Sequence, residues 1–79
     1  MSIKEERVRE LLAACLEIET SDLPEQATRE TTAGWDSVVH LSLLGMLEDE
    51  SPGLLDRFPR LAESMSIAEI VAIVAADDF

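Results

Sequence analysis

Apolar residues recur at spacings of three and four over the first sixteen positions of the chain. They are Val8, Leu11, Leu12, Cys15 and Leu16. This spacing puts the apolar side chains on one face of an α-helix and the charged residues on the other. Ser2 and Glu5 form a capping box, which predicts that the helix begins directly after Ser2. Because Cys15 lies within the stripe, we interpret it as a small core residue and not as a reactive thiol.

No helical or strand period continues through residues 19–35. This stretch contains Pro24, Gly34 and several threonines, residue types that favour turns and loops. Loops longer than about 12–15 residues inside a compact domain are usually functional or disordered. We therefore predict a long loop that is either functional or disordered, with Leu23 and Ala27 as the residues that could anchor it to the core.

The second helix is predicted from Asp36 or Ser37 to about Glu50. Asp36 is a suitable N-cap, and its negative charge favours the positive end of the helix dipole. Almost no polar face remains, since the helix contains Val38, Val39, Leu41, Leu43, Leu44, Met46 and Leu47. The helix therefore either lies at the centre of the fold or turns part of its apolar surface to a partner or ligand.

The second helix closes on Glu48, Asp49 and Glu50. Acidic residues at a helix C-terminus oppose the dipole. With no local benefit evident, they indicate either a role outside the fold or a solvated charge run.

Two further segments complete the helical pattern. Over residues 54–61 Pro59 interrupts an apolar run, which predicts one or two irregular helical turns. Ser66 and Glu69 form a second capping box. The apolar positions of the last helix are Ile67, Ile70, Val71 and Val74. The predicted fold is all-α, with three main helices and one short irregular helix in a single domain, residues 1–79.

Composition and charge narrow the functional classes. Seventeen acidic residues against six basic ones give a formal net charge of −11. A polyanion is repelled by nucleic acid and by anionic membranes and is attracted to basic patches on proteins. The alternative is that the acidic residues only keep a small protein soluble. One Cys and one His provide neither an internal disulfide nor a metal site. With no apolar signal segment or membrane-length run, we expect a soluble, cytoplasmic protein.

A short motif marks the junction between the long loop and the second helix: Gly34-Trp35-Asp36-Ser37-Val38. It resembles the modification site of the acyl carrier protein family, in which Asp-Ser-Leu follows a Gly and one variable residue. Helix order, the long first loop and the acidic close of the second helix extend the resemblance over essentially the whole chain. The resemblance implies the four-helix bundle of that family and a protein that carries cargo and is not an enzyme.

The same resemblance implies how Ser37 is used. A Mg²⁺-dependent phosphopantetheinyl transferase would attach 4′-phosphopantetheine from coenzyme A to Ser37, and Asp36 would help to engage that enzyme. The arm would carry an acyl group as a thioester between partner enzymes of a fatty acid, polyketide or other specialised pathway. Expected partners are an acyl-loading ligase or acyltransferase and downstream enzymes with basic docking patches, each meeting a monomeric carrier. The implied docking residues are Trp35, Val38, Leu41, Glu48, Asp49 and Glu50.

Several residues depart from the fatty acid carriers. Val38 replaces the usual Leu, Val39 and Ser42 stand where acidic residues often occur, and Gly45 replaces a bulky apolar residue. The chain is thus more similar to stand-alone carriers of specialised pathways. Two alternatives remain open: a discrete aminoacyl or peptidyl carrier loaded by a separate ligase, and a non-enzymatic helical interaction module that uses the second helix to fill a groove.

His40, three residues after Ser37, raises the question of a Ser–His nucleophile. Such a nucleophile also needs a carboxylate that orients the histidine and an oxyanion hole. The sequence offers no candidate for either, so we favour a His40 that lines the core beside the arm.

Overall fold

The computed structural model describes residues 3–75, and this part of the chain is all-helical, as predicted. The α-helices are α1 (Ile3–Leu16), α2 (Ser37–Glu50), α3 (Leu54–Arg57) and α4 (Ile67–Ile73). Two short 3₁₀ helices span Thr20–Asp22 and Pro59–Glu63. The described residues contain no strand, only an isolated bridge between Thr28 and Ser66. None of the helices in this range combines the length and apolar character that a membrane crossing needs.

The helix boundaries follow local capping signals. The predicted start of α2 is confirmed, because the Asp36 carboxylate accepts a hydrogen bond from Val39 N at 2.9 Å. Ser66 caps α4 in the same way, accepting from Glu69 N at 3.0 Å. The capping box predicted at Ser2 lies outside the described residues. Pro59 begins the second 3₁₀ helix shortly after α3 ends, which matches the predicted irregular turns.

The end of α1 has a backbone signal that its sequence does not announce. Glu17 adopts a left-handed conformation, with φ of 58°. Its N–H donates to Ala14 O at 3.2 Å, and Ile18 N donates to Ala13 O at 3.0 Å. These two bonds form a Schellman motif, which usually has glycine at the left-handed position.

One hydrophobic core joins all four helices and the long loop. Its buried members are Val8, Leu11, Leu12 and Ala13 of α1; Leu23, Ala27 and Trp35 of the loop; Leu43, Leu44 and Leu47 of α2; and Leu54, Leu61, Ile67, Ile70 and Val74 beyond it. Cys15 and Leu16 are only partly buried and pack at the edge of this core. Partial burial raises the pKa of the Cys15 thiol, whose Sγ lies 3.2 Å from Met46 Sδ.

Buried side chains and hydrogen bonds attach the loop between α1 and α2 to the rest of the fold. Leu23 and Ala27 are buried, as predicted, and the Arg9 guanidinium donates to the carbonyls of residues 23–25 at 3.0–3.3 Å. The second half of the loop pairs with the segment that enters α4. The pairings are Thr28 with Ser66, Ile67 N to Ala27 O at 3.1 Å, and Arg29 N to Met65 O at 2.8 Å. The loop therefore brings Arg29 and the chain that follows it to a fixed place beside α2.

Candidate functional site

Ser37 is the first residue of α2, and its side chain is exposed to solvent. Its hydroxyl Oγ lies 3.4 Å from Nη2 of Arg29, which extends from the long loop. The first hydrogen bond of the helix runs from His40 N to Asp36 O, at 2.9 Å. The N–H groups of Ser37 and Val38 precede it and so have no partner within the helical ladder. A group attached to Oγ would meet these amides and the Arg29 cation.

A tight turn directly before α2 sets the position of Ser37. Gly34 has φ of +88°, and Asp36 N donates back to Gly34 O at 2.9 Å. A Cβ at Gly34 would also lie 3.2 Å from Leu16 Cδ2. Glycine adopts this left-handed conformation at little steric cost, whereas a residue with a Cβ is strained there. Gly34 therefore favours the turn that takes the chain from the core-bound loop to the exposed start of α2.

Trp35 is the one predicted docking residue that the structure removes from the surface. Its side chain is only 3% exposed, and it packs in the core. Its indole Nε1 donates to His40 Nδ1 at 3.1 Å, and the two rings lie 5.9 Å apart between centroids. The earlier assignment to a docking surface was wrong, because a buried indole with a buried hydrogen-bond acceptor has no face left for a partner.

His40 is likewise only 3% exposed, and both of its ring nitrogens are engaged. The indole of Trp35 can only donate, so Nδ1 accepts and Nε2 carries the ring hydrogen. Nε2 then donates to Leu61 O at 3.0 Å, a carbonyl that also accepts from Ser64 Oγ at 2.7 Å. Neither ring nitrogen is directed at Ser37. As expected, His40 lines the core, and it joins the loop, α2 and the second 3₁₀ helix.

Beside Ser37 an open groove of about 220 Å³ runs between α2 and the second 3₁₀ helix. Its lining combines polar and apolar side chains: Arg29, Ser37, His40, Leu41, Leu44 and Ala62. On the outer face of α2, Val38 is 71% exposed and Leu41 is 68% exposed. Gly45, one turn further along α2, is also exposed, with no atom near the position of an added Cβ. The N-terminal part of α2 thus presents apolar surface next to the exposed hydroxyl.

The acidic residues that close α2 lie at its other end, about 20 Å from Ser37 for a helix of this length. The Glu48 carboxylate accepts hydrogen bonds from the segment that follows α2, from Gly53 N at 2.6 Å and from Leu55 N at 3.0 Å. These two backbone hydrogen bonds hold the pKa of the Glu48 carboxyl below its ordinary value, and the nearby Arg57 charge lowers it further. The expectation that these acidic residues bring no local benefit was therefore wrong for Glu48.

The other two acidic residues differ in their surroundings. Glu50 pairs with Arg7 of α1, which also contacts Glu10. Asp49 is exposed, and of the three it has the side chain most open to a partner. The ion pairs of Arg7 with Glu50 and Glu10 are largely exposed, and such pairs contribute little to stability. The predicted docking residues therefore divide into an apolar group near Ser37 and an acidic group at the far end of α2.

Two of the residues that line the groove lie outside α2, and neither was predicted as part of the site: Arg29 and Ala62. Neither belongs to a motif or a periodic stripe. Their proximity to Ser37 depends on the pairing of the loop with the start of α4 and on the packing of the second 3₁₀ helix. Among residues 3–75, no group of three or more His, Cys, Asp or Glu side chains is placed to hold a metal ion.

The chain was compared with protein-family models, with curated proteins and with solved structures, and none of the three comparisons found a match.

Proposed function

We propose that this chain is a discrete acyl carrier protein, with the four-helix bundle of that family and a 4′-phosphopantetheine arm on Ser37. The observation that carries the proposal is the exposed Ser37 hydroxyl at the first residue of a capped helix, preceded by the Gly34 turn. A transferase needs a reachable hydroxyl, and a phosphate at this place gains from the helix dipole. The resemblance of residues 34–38 to the family motif supports the same assignment.

The residues around Ser37 fit such a group. The hydroxyl is open to solvent, Arg29 supplies a cation, and the Leu41 and Leu44 side chains give the neighbouring groove an apolar wall. In the attachment step, Ser37 Oγ bonds to the β-phosphorus of coenzyme A as the P–O bond of the pyrophosphate bridge breaks. Adenosine 3′,5′-bisphosphate leaves, and the hydroxyl proton passes to the transferase. Once attached, the arm supplies a thiol that carries an acyl group as a thioester.

Weak, reversible docking is the task left to the protein itself. Val38 and Leu41 offer an exposed apolar patch beside the arm, and Asp36 and Asp49 add negative charge. Rim charges chiefly raise association rates with basic partners, which suits a carrier that must leave each enzyme quickly. We propose the transferase, an acyl-loading ligase or acyltransferase, and downstream biosynthetic enzymes as those partners, with the carrier monomeric and cytoplasmic.

The exposure of Val38 and Leu41 also favours a second candidate, a non-enzymatic module that inserts the apolar face of α2 into a groove on another protein. Such a module uses the same patch but does not need the Ser37 hydroxyl. An aminoacyl or peptidyl carrier, in contrast, needs Ser37 as much as an acyl carrier does and differs only in its cargo.

The test is the intact mass of the protein before and after incubation with coenzyme A, Mg²⁺ and a promiscuous phosphopantetheinyl transferase. We expect a gain of one phosphopantetheinyl group in the wild type and none in Ser37→Ala. Ser42→Ala is the matched control, because Ser42 is also an exposed serine of α2 and its loss should leave the mass gain intact. No gain, with a transferase that modifies a known carrier, would favour the interaction module.

A further inference from the structure

Arg29 is held in place by its backbone, while its side chain makes only long contacts with the other residues of the range 3–75. Its N–H donates to Met65 O at 2.8 Å, which fixes the residue beside the start of α4. The guanidinium lies 3.4 Å from Ser37 Oγ through Nη2 and 3.9 Å from Met65 Sδ through Nη1. Both are long contacts to neutral groups. The side chain is thus available for a stronger partner at Ser37.

An arginine side chain without an ion pair is unusual in a chain with this many acidic residues. The chain has seventeen acidic residues. Even so, in the part of the chain that the structure describes, no carboxylate oxygen lies within 4.0 Å of the Arg29 guanidinium. Arg7, in comparison, contacts both Glu10 and Glu50. Within residues 3–75, Arg29 therefore presents to Ser37 a positive charge that is in no ion pair with a carboxylate.

We propose that Arg29 holds the phosphodiester that joins the arm to Ser37, an inference that rests on the proposed carrier function. The phosphorus would be bonded directly to Oγ, so the charged oxygens of the phosphate would lie two bonds beyond an atom that Arg29 already contacts. A guanidinium pairs with phosphate through two parallel N–H groups, which gives orientation as well as affinity. The unpaired amides of Ser37 and Val38 add donors on the side of the helix.

This pairing has a consequence for the arm. Arg29 lines the groove that also contains Leu41, Leu44 and Ala62. A phosphate held by Arg29 therefore keeps the start of the arm at the mouth of that groove. Because the pair is exposed, salt screens it and a docked enzyme can compete for it. Arg29 is thus a positioning residue that can release the arm.

The test uses holo-protein, with loading verified by intact mass, and follows the ³¹P resonance of the phosphodiester at low and at high salt. We expect Arg29→Gln to move the resonance of the low-salt sample to the position that the wild type reaches only at high salt. Arg29→Lys, which keeps the charge but not the paired N–H groups, should restore part of the shift. Arg57→Gln is the matched control, because it removes the same charge beside Ser51, at the opposite end of α2. We expect it to change nothing.

The outcomes separate this inference from the proposed function. If wild-type protein gains no mass, both proposals fail. If it is loaded, but its ³¹P resonance is independent of salt and identical in Arg29→Gln, only the role of Arg29 is rejected. Should Arg29→Gln resist loading, the wild type alone decides: the ¹⁵Nε resonance of Arg29 must shift between apo- and holo-protein, and an unchanged resonance overturns the inference.

Discussion

The hydrogen bond between Trp35 and His40 offers the sharpest test of the packing described above. Trp35 Nε1 and His40 Nδ1 lie 3.1 Å apart, and each residue is only 3% exposed. Water therefore cannot replace either partner. In Trp35→Phe the donor is lost and His40 Nδ1 is left buried without a partner. In His40→Leu the indole N–H is left without an acceptor, while Leu61 O keeps its hydrogen bond from Ser64 at 2.7 Å.

The magnitude follows from the cost of a buried, unpaired polar atom. Leaving such an atom costs about 1–3 kcal/mol, whereas removing both partners together avoids most of that penalty. Trp35→Phe also loses core volume, so its total cost exceeds this range by a packing contribution. For a chain of this length, each 1 kcal/mol corresponds to about 4–8 °C in melting temperature. We expect the double variant to be more stable than the sum of the single variants predicts, by about 1–3 kcal/mol.

The assay is urea unfolding of the wild type, both single variants and the double variant, followed by circular dichroism. Trp35 is the only tryptophan in the chain. Acrylamide quenching of its fluorescence therefore reports the burial of this one side chain, before and after unfolding. The non-additive part of the free energy of unfolding isolates the hydrogen bond, because the packing loss occurs in both halves of the cycle.

Two results would refute this reasoning. Strict additivity of the two substitutions, within about 0.5 kcal/mol, would mean that the indole and imidazole are not coupled. Equal quenching of native and unfolded wild type would place Trp35 at the surface, where the family resemblance had put it.

Two further predictions concern the ends of α2. Gly34→Ala should lower the free energy of unfolding by about 1–2 kcal/mol, because alanine is strained at φ of +88°. Gly45→Ala, in an open helical position, should raise the free energy of unfolding by about 1 kcal/mol. Equal effects of the two substitutions in urea unfolding would contradict this prediction. Glu48→Gln should be less stable than wild type at neutral pH, and the difference should disappear as the pH falls through the lowered pKa of Glu48. Asp49→Asn is the control. A stability difference between Glu48→Gln and the wild type that does not change with pH would contradict a stabilising role for the ionised Glu48 carboxylate.

The sign of the Glu48 prediction follows from the direction of its pKa shift. The folded protein favours the carboxylate, since Gly53 N and Leu55 N donate to it. The stabilisation is complete above the ordinary pKa of a glutamate and is lost as the pH falls through the folded value. Glutamine can still accept hydrogen bonds, so the substitution tests the charge more than the shape.

Much of the candidate site was predictable because it depends on local chemistry. The start of α2 follows from the Asp36 cap, and the exposed position of Ser37 follows from its place at that start. Leu23 and Ala27 are apolar residues in a polar loop, which explains why their burial was also expected. Arg29 was not predictable in this way, because one arginine among turn residues carries no signal for the side chain it will approach.

The sequence by itself determined the helical class, the capped starts of α2 and α4 and the core faces of α1 and α4. Capping and hydrophobic periodicity depend on residues that are close together in the sequence, so the local sequence is enough to predict them. Only the tertiary structure decided that Trp35 is buried against His40, that Glu48 caps the following segment and that Arg29 lies beside Ser37. Each of these depends on how loops and helices pack, and a hydrogen bond between separate segments forms only once the core has brought them together.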